Sequence, residues 1–430
     1  MPDDTPKTCQ VEMHDDKPCG RPATYGDKCV CHTGRENKDT KVFQSELDKI
    51  FADEETEYYD LSRFIFPKKG YKLPKQYKKD TYFSWTAFSG RADFSFAEFS
   101  GKAYFHRATF SGEAEFLNAT FSGEAKFRWS RFSGVAQFRL ATFSGETSFY
   151  NTQFVDVASF SYCQTDKAAR VTFDGIVSEK DKREVFPSGA DFRWCSFAEP
   201  KNIKFRKLSL AECDFLDTDV TEMQFVDVTW ARKPKFLKWV PRNAVSDEFA
   251  MQPDYNLVSQ LYRRLQANYI NNYRYAEAGD FHIGELEMMR KAKRKEPLYV
   301  LSNSLYKIIS FYGESFTLPL LWLAFVLLFV PAVLLWDGIN LNPTLQDQAV
   351  VETVNYEWSW SPGDFLPAKS DYWEAFVANL SLIAYSRSDI GKYLPESHTR
   401  FIVTIESLVV IALLAFFLLA LRRQYKRKGF

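Results

Sequence analysis

Along the middle of the chain, large apolar residues recur in steps of five and six: Phe88, Phe94, Phe99, Phe105, Phe110, Phe116, Phe121, Phe127, Phe132, Phe138 and Phe143. Every second one opens the tripeptide Phe-Ser-Gly, which occurs six times at a spacing of eleven residues. A small residue stands two places before most of them, as at Ala92, Ala97, Ala103, Ala108, Ala114 and Ala119. At about 100° per residue these steps would scatter the rings around a helix, and each glycine would weaken it by about 1 kcal/mol. In a flat strand a step of five would put successive rings on opposite faces. The period instead fits a chain that turns a corner every five or six residues, with Phe and the small residue inward: a β-solenoid. The glycine of alternate units reads as a widened corner with an unusual backbone conformation. The pattern occupies 61–235, is interrupted near 164–188, and resumes at Phe192, Phe197 and Phe215.

Other segments carry other periods. In the charged stretch 36–60, Phe43, Leu47, Ile50 and Phe51 stand at helical spacing and predict an amphipathic helix that caps the first coil. In 250–297, the stripe Leu257, Leu261, Leu265 and the set Ala276, Phe281, Ile283, Leu286, Met289 predict an αα-hairpin. That hairpin either caps the solenoid or offers a partner-binding groove.

Residues 300–430 read as a two-helix transmembrane domain. Ser315–Trp336 is 22 residues without a charge, enough for about 30 Å of hydrocarbon. Phe401–Leu421 is a second such stretch, with Glu406 its only charge. Lys291, Lys293, Arg294 and Lys295 precede the first, and Arg422, Arg423, Lys426, Arg427 and Lys428 follow the second. The positive-inside rule then predicts both termini in the cytoplasm, residues 337–400 outside, and residence in the cell membrane.

Two resemblances add to this reading. Units such as Ala-Asp-Phe-Ser and Ala-Thr-Phe-Ser-Gly resemble pentapeptide repeats, which implies a right-handed quadrilateral β-helix with a Phe ladder along its axis. Fold alone does not assign a function. The membrane end is similar to the pore module of two-transmembrane potassium channels: span, half-length apolar helix at Tyr372–Tyr385, polar loop, span. That alignment puts Ser386, Arg387, Ser388, Asp389, Ile390 and Gly391 over the filter. Gly391 keeps one filter glycine, whereas Asp389 replaces the other, so a carbonyl-lined potassium filter is not expected. The resemblance implies a homo-oligomer, a tetramer, with Asp389 and Glu406 as carboxylate rings that favour cations and the solenoid as a cytoplasmic sensing or docking arm for a protein or ligand. The alternative is a non-conducting scaffold anchored in the membrane.

Composition narrows the remaining possibilities. Lys+Arg and Asp+Glu both number 55, so the net charge is zero. From Thr81 to Phe160 seven acidic residues balance seven basic ones, a poor imitation of DNA, which carries one charge per ~1.7 Å. No nucleic-acid partner is expected. Nor is enzyme activity: no catalytic constellation stands out, and His106 and His282 read as structural.

Four of the seven cysteines crowd the first 32 residues together with His32. Thiolates and imidazole are the ligands of a structural Zn²⁺, and metal binding would fold a 1–35 module too small to fold by burial. Cys-Gly-Arg-Pro-Ala followed by Cys-x2-His resembles small zinc modules found ahead of other repeats. Cys9, Cys19, Cys29 and His32 are assigned as ligands, with Cys31 and His14 as rivals. Cys163, Cys195 and Cys213 take the small inward position and read as alanine substitutes. An odd total with no apolar signal core in the first residues argues for a reducing interior.

Overall fold

The structure, a computed structural model, describes residues 7–176, 184–234, 241–337, 339–341, 354–356, 372–373, 375–377, 379–380 and 397–427. Ser386, Ser388, Asp389 and Gly391 lie outside the described residues. The chain divides into two compact units, Met1–Ala292 and Lys293–Phe430.

The first unit is a parallel β-solenoid of about seven turns. Its short strands stack into four parallel sheets of eight, six, six and five strands. Ala87 pairs with Thr109, Ala92 with Ala114, Glu98 with Thr120 and Ala103 with Ala125, so one turn takes 22 residues. Two eleven-residue units therefore complete one circuit, and each Phe falls on a Phe of the next turn. Phe94 stacks on Phe116 at 4.9 Å and 3° between planes, and Phe105 on Phe127 at 4.8 Å and 2°. That separation is the strand spacing of about 4.7–4.9 Å, so ring stacking and backbone pairing reinforce one another. Neighbouring columns meet edge to face, as Phe94 and Phe105 do at 5.6 Å and 88°. None of the eleven ladder Phe (Phe88, Phe94, Phe99 and so on to Phe143, Phe96 being an exposed corner) is more than 2% exposed, and each burial contributes about 1.5–3 kcal/mol. At the interruption Ala158 pairs with Ala190, 32 positions on, so ten extra residues enter without breaking the sheet.

The repeat glycines correct the sequence-based expectation. Their φ angles are not positive; the left-handed corners are Trp85, Phe96, Arg107, Asn118, Trp129 and Leu140, none of them glycine. What glycine permits is close stacking. A Cβ on Gly112 would lie 2.7 Å from the Gly90 carbonyl carbon, and one on Gly123 2.7 Å from the Gly101 oxygen. Backbone passes over backbone at these corners, leaving no room for a side chain.

Both ends of the solenoid are covered. Helix α1 (Thr40–Ala52) starts where the Asp39 side chain accepts from the Lys41 and Val42 amides. It buries Phe43 and Leu47, with Phe43 edge-on to Phe66 at 5.2 Å. At the other end stand α2 (Tyr255–Asn271) and α3 (Tyr275–Ala292). Asn268 of α2 donates to the Val220 and Met223 carbonyls, and Arg264 to that of Thr218, so α2 satisfies the last coil's open backbone. Asp247 accepts from the Phe215 and Leu216 amides, both at 3.0 Å. Beneath the helices the buried Arg242 pairs with Glu248 at 3.1 Å and Glu287 at 3.0 Å.

In the second unit, α4 (Pro297–Ser310) exposes an apolar stripe of Leu298, Leu301, Leu305 and Ile308. It is followed by α5 (Thr317–Asp337) and α6 (Ser397–Arg427). Among the described residues one helix is long and apolar enough to cross a membrane, α6 through Thr404–Arg423; the apolar part of α5, Thr317–Val333, is shorter. Helix α4 went unread in the sequence because its hydrophobic stripe lies between the lysine cluster and the apolar run.

Candidate metal centre

The amino-terminal segment folds as small loops held by isolated bridges, Thr8 to Pro22, Glu12 to Pro18 and Tyr25 to Lys28. Gly20 and Gly26 supply its left-handed turns, at φ 69° and 80°. These loops bring Cys9 and Cys19 against the turn Cys29–His32, where the His32 amide donates to the Cys29 carbonyl. The Cys9, Cys19 and Cys29 sulfurs and a His32 ring nitrogen all lie within 4.8 Å of one another.

The distances fit a tetrahedral metal. Metal–sulfur bonds of about 2.3 Å imply S···S edges of about 3.8 Å and S···N edges of about 3.6 Å. Cys19 and Cys29 are 3.8 Å apart, Cys9 and His32 Nδ1 3.4 Å, and Cys29 and His32 Nδ1 3.2 Å. His32 therefore presents Nδ1, while its Nε2 faces the Ser62 carbonyl at 3.4 Å, the outer hydrogen bond that fixes a ligand imidazole.

The surroundings match in charge. Three thiolates around a divalent cation leave one net negative charge. Arg21 donates to Cys19 Sγ at 3.2 Å and is held by Glu46 at 3.2 Å. The Lys38 ammonium is buried and donates to the Val30 and Thr33 carbonyls. Burial lowers its pKa to about 8, against the pull of Cys31 and Cys29. Contact with Cys19 lowers the Cys29 thiol, but Cys31 and burial outweigh it and push it up to about 11. A bound cation reverses that balance. The donor set therefore fits a zinc ion, and it offers four protein ligands with no open position.

Neither rival is among the four clustered ligands, although Cys31 adjoins Cys29. Cys31 is buried outside the cluster, its carbonyl accepting from the Ile65 amide at 2.8 Å. His14 stacks on Tyr82 at 3.4 Å. Cys163, Cys195 and Cys213 are buried along the solenoid, and the first two donate to the Phe138 and Phe160 carbonyls. Glu406 is 3% exposed on α6 and accepts from Asn379 Nδ2 at 2.9 Å. Sequence reasoning missed Arg21 and Lys38; the one available signal was the position of Arg21 two residues after a ligand.

Residues 83–128 and 130–176 match the family described as "Pentapeptide repeats (9 copies)". The solenoid is thus built of pentapeptide repeats, on a chain that also carries a Cys₃His cluster and one helix of membrane-crossing length. No curated protein and no solved structure matches the chain.

Proposed function

We propose that this chain is a membrane-anchored docking protein, whose pentapeptide-repeat solenoid is the docking arm. The observation that carries the reading is the pairing, in one chain, of a solenoid covered at both ends with a helix of membrane-crossing length. A structural Zn²⁺ on Cys9, Cys19, Cys29 and His32 locks the first end. Helix α5 supplies a second span, supported by the charge-free run Ser315–Trp336. The lysines before it, and Arg422, Arg423 and Arg427 at the end of α6, support two cytoplasmic termini in a cell membrane. The exposed stripe of α4, from Leu298 to Ile308, suits a helix lying in the interface before the span. No catalytic role is assigned. Alkaline carbonate extraction of native membranes tests the anchor: the full chain is expected in the pellet, and its release into the supernatant would refute the reading.

A second reading, a homo-oligomeric cation pathway with tetrameric symmetry, rests on Glu406. An ionisable side chain buried in an apolar helix is costly and tends to line a pathway. Neutralisation by Glu406→Gln is then expected to lower conductance or alter cation preference in planar bilayers containing the full chain. Silence of the unmodified chain under every ionic condition, with a monomeric mass, leaves the scaffold alone.

A further inference from the structure

The zero net charge conceals a sorted surface. Because one turn takes 22 residues, corner residues stack in columns. One column consists of the left-handed corners Arg63, Trp85, Arg107 and Trp129, with φ of 61°, 61°, 56° and 61°. Arginine and tryptophan alternate along it: the Arg107 guanidinium lies 4.4 Å from the Trp85 ring centre and 5.9 Å from that of Trp129, and Arg63 5.9 Å from Trp85. Arg128, beside Trp129, lies 5.1 Å from the Tyr150 ring. Trp85 is 49% exposed, and Arg107 and Arg128 are exposed. Arg63 has a loose partner in Glu12 at 3.7 Å; among the described residues no carboxylate pairs with Arg107 or Arg128. The acidic residues of these turns lie elsewhere. Asp93, Glu98, Glu115 and Glu146 are in strands, Glu113 and Glu124 follow glycine corners, and Asp156 follows the strand Gln153–Phe154.

The form of this column selects its occupant. The Trp85 ring lies between two guanidiniums, so it is not open to the base stacking that single-stranded nucleic acid requires. A corner of a four-faced rod is convex and cannot enclose a peptide; it can lie along a plane. Guanidiniums suit phosphates, and the half-exposed Trp85, with the partly exposed Trp129, suits the headgroup level of a bilayer. A chain with its own membrane-crossing helix is held where bilayer surfaces are at hand. We infer that the Arg63–Trp129 corner is a membrane-docking edge that engages the phosphate layer of an anionic lipid surface. This rests on the anchored-docking reading and names the partner of its arm.

The test holds the full chain in neutral phosphatidylcholine nanodiscs and offers separate vesicles, either neutral or containing phosphatidylglycerol. Co-sedimentation with the anionic vesicles is expected, weakening as salt rises. Arg107→Asn with Arg128→Gln is expected to reduce capture about tenfold or more, given roughly 1 kcal/mol per cation at such a surface. Trp85→Asn with Trp129→Asn is expected to reduce it as well. Asparagine is chosen because left-handed corners of this solenoid already use it at Asn118 and Asn151. Arg139→Gln, beside a different corner, is expected to leave capture unchanged. Equal capture of neutral vesicles, capture unaffected by the corner variants, or tighter retention of an acidic polypeptide or a single-stranded oligonucleotide would each overturn the inference. Recovery of the chain outside the nanodisc refutes the anchor, whereas failure with the chain in place refutes the docking edge alone.

Discussion

At the scale of single residues, the solenoid makes two demands that the sequence shows unequally. The inward column requires a flat ring. Phe121 is 1% exposed and stacks between Phe99 at 4.9 Å and Phe143 at 5.4 Å. Phe121→Ala is expected to leave a cavity and cost about 3–5 kcal/mol, read as a lowered denaturation midpoint. In the regular repeats from Phe88 to Gly145 the corners demand space at the glycines and backbone freedom at other positions. Gly112→Ala would drive its Cβ to 2.7 Å from the Gly90 carbonyl carbon and is expected to cost at least about 1–3 kcal/mol. Asn118 holds the left-handed conformation at φ 52°, and Asn118→Gly is expected to change stability by less than about 1 kcal/mol. Equal costs for the two would contradict this division of roles. The Phe periodicity was legible because every ring repeats the same burial. The left-handed corners were not legible, because residues as different as Trp85, Phe96 and Arg107 occupy them and share only a position in the turn.

At the scale of elements, each end of the solenoid carries its own titratable control. The loops carrying the Cys₃His cluster add to the first turn through Ile65 donating to the Cys31 carbonyl and His32 facing the Ser62 carbonyl. Cys29→Ala is expected to abolish stoichiometric zinc and raise hydrogen exchange in the strands at 58–66, while sparing 203–226. Full zinc occupancy in that variant would refute the ligand set. Because thiolates bind metal and thiols do not, the same strands are expected to lose protection as acid releases the ion.

The other end responds in the opposite direction. Burial pushes the Asp247 carboxyl up to about 7 from 3.8, against the two amides it accepts from. Between those values the folded cap keeps a proton that the unfolded chain has lost. Its contribution to stability therefore falls as pH rises from about 4 to about 7. Exchange at 213–226 is expected to accelerate across that window, and Asp247→Asn to flatten the dependence; an unchanged slope in that variant would contradict the assignment. The cysteine spacing made the zinc loops readable. Asp247 was not readable, since its role depends on lying opposite amides 31 and 32 residues away.

At the scale of the whole molecule, charge balance and hydropathy each conceal an arrangement. Seven acids against seven bases over Thr81–Phe160 suggested an even rod, yet the 22-residue turn gathers Arg107 and Arg128 on one corner and sends the acids elsewhere. The count could not reveal this, because the sorting appears only when residues are indexed by turn. In the second unit, hydropathy located α5 and α6, while α4 and the contact between Glu406 and Asn379 emerge only in three dimensions. In the topology proposed above, two spans hold the solenoid and the residues after α6 on the same, cytoplasmic side. Protease protection in oriented membrane vesicles tests it most directly, with one epitope in the solenoid and another after Phe430. Both epitopes are expected to be digested from the cytoplasmic face and to survive attack from the other. Digestion of the two from opposite faces would contradict it.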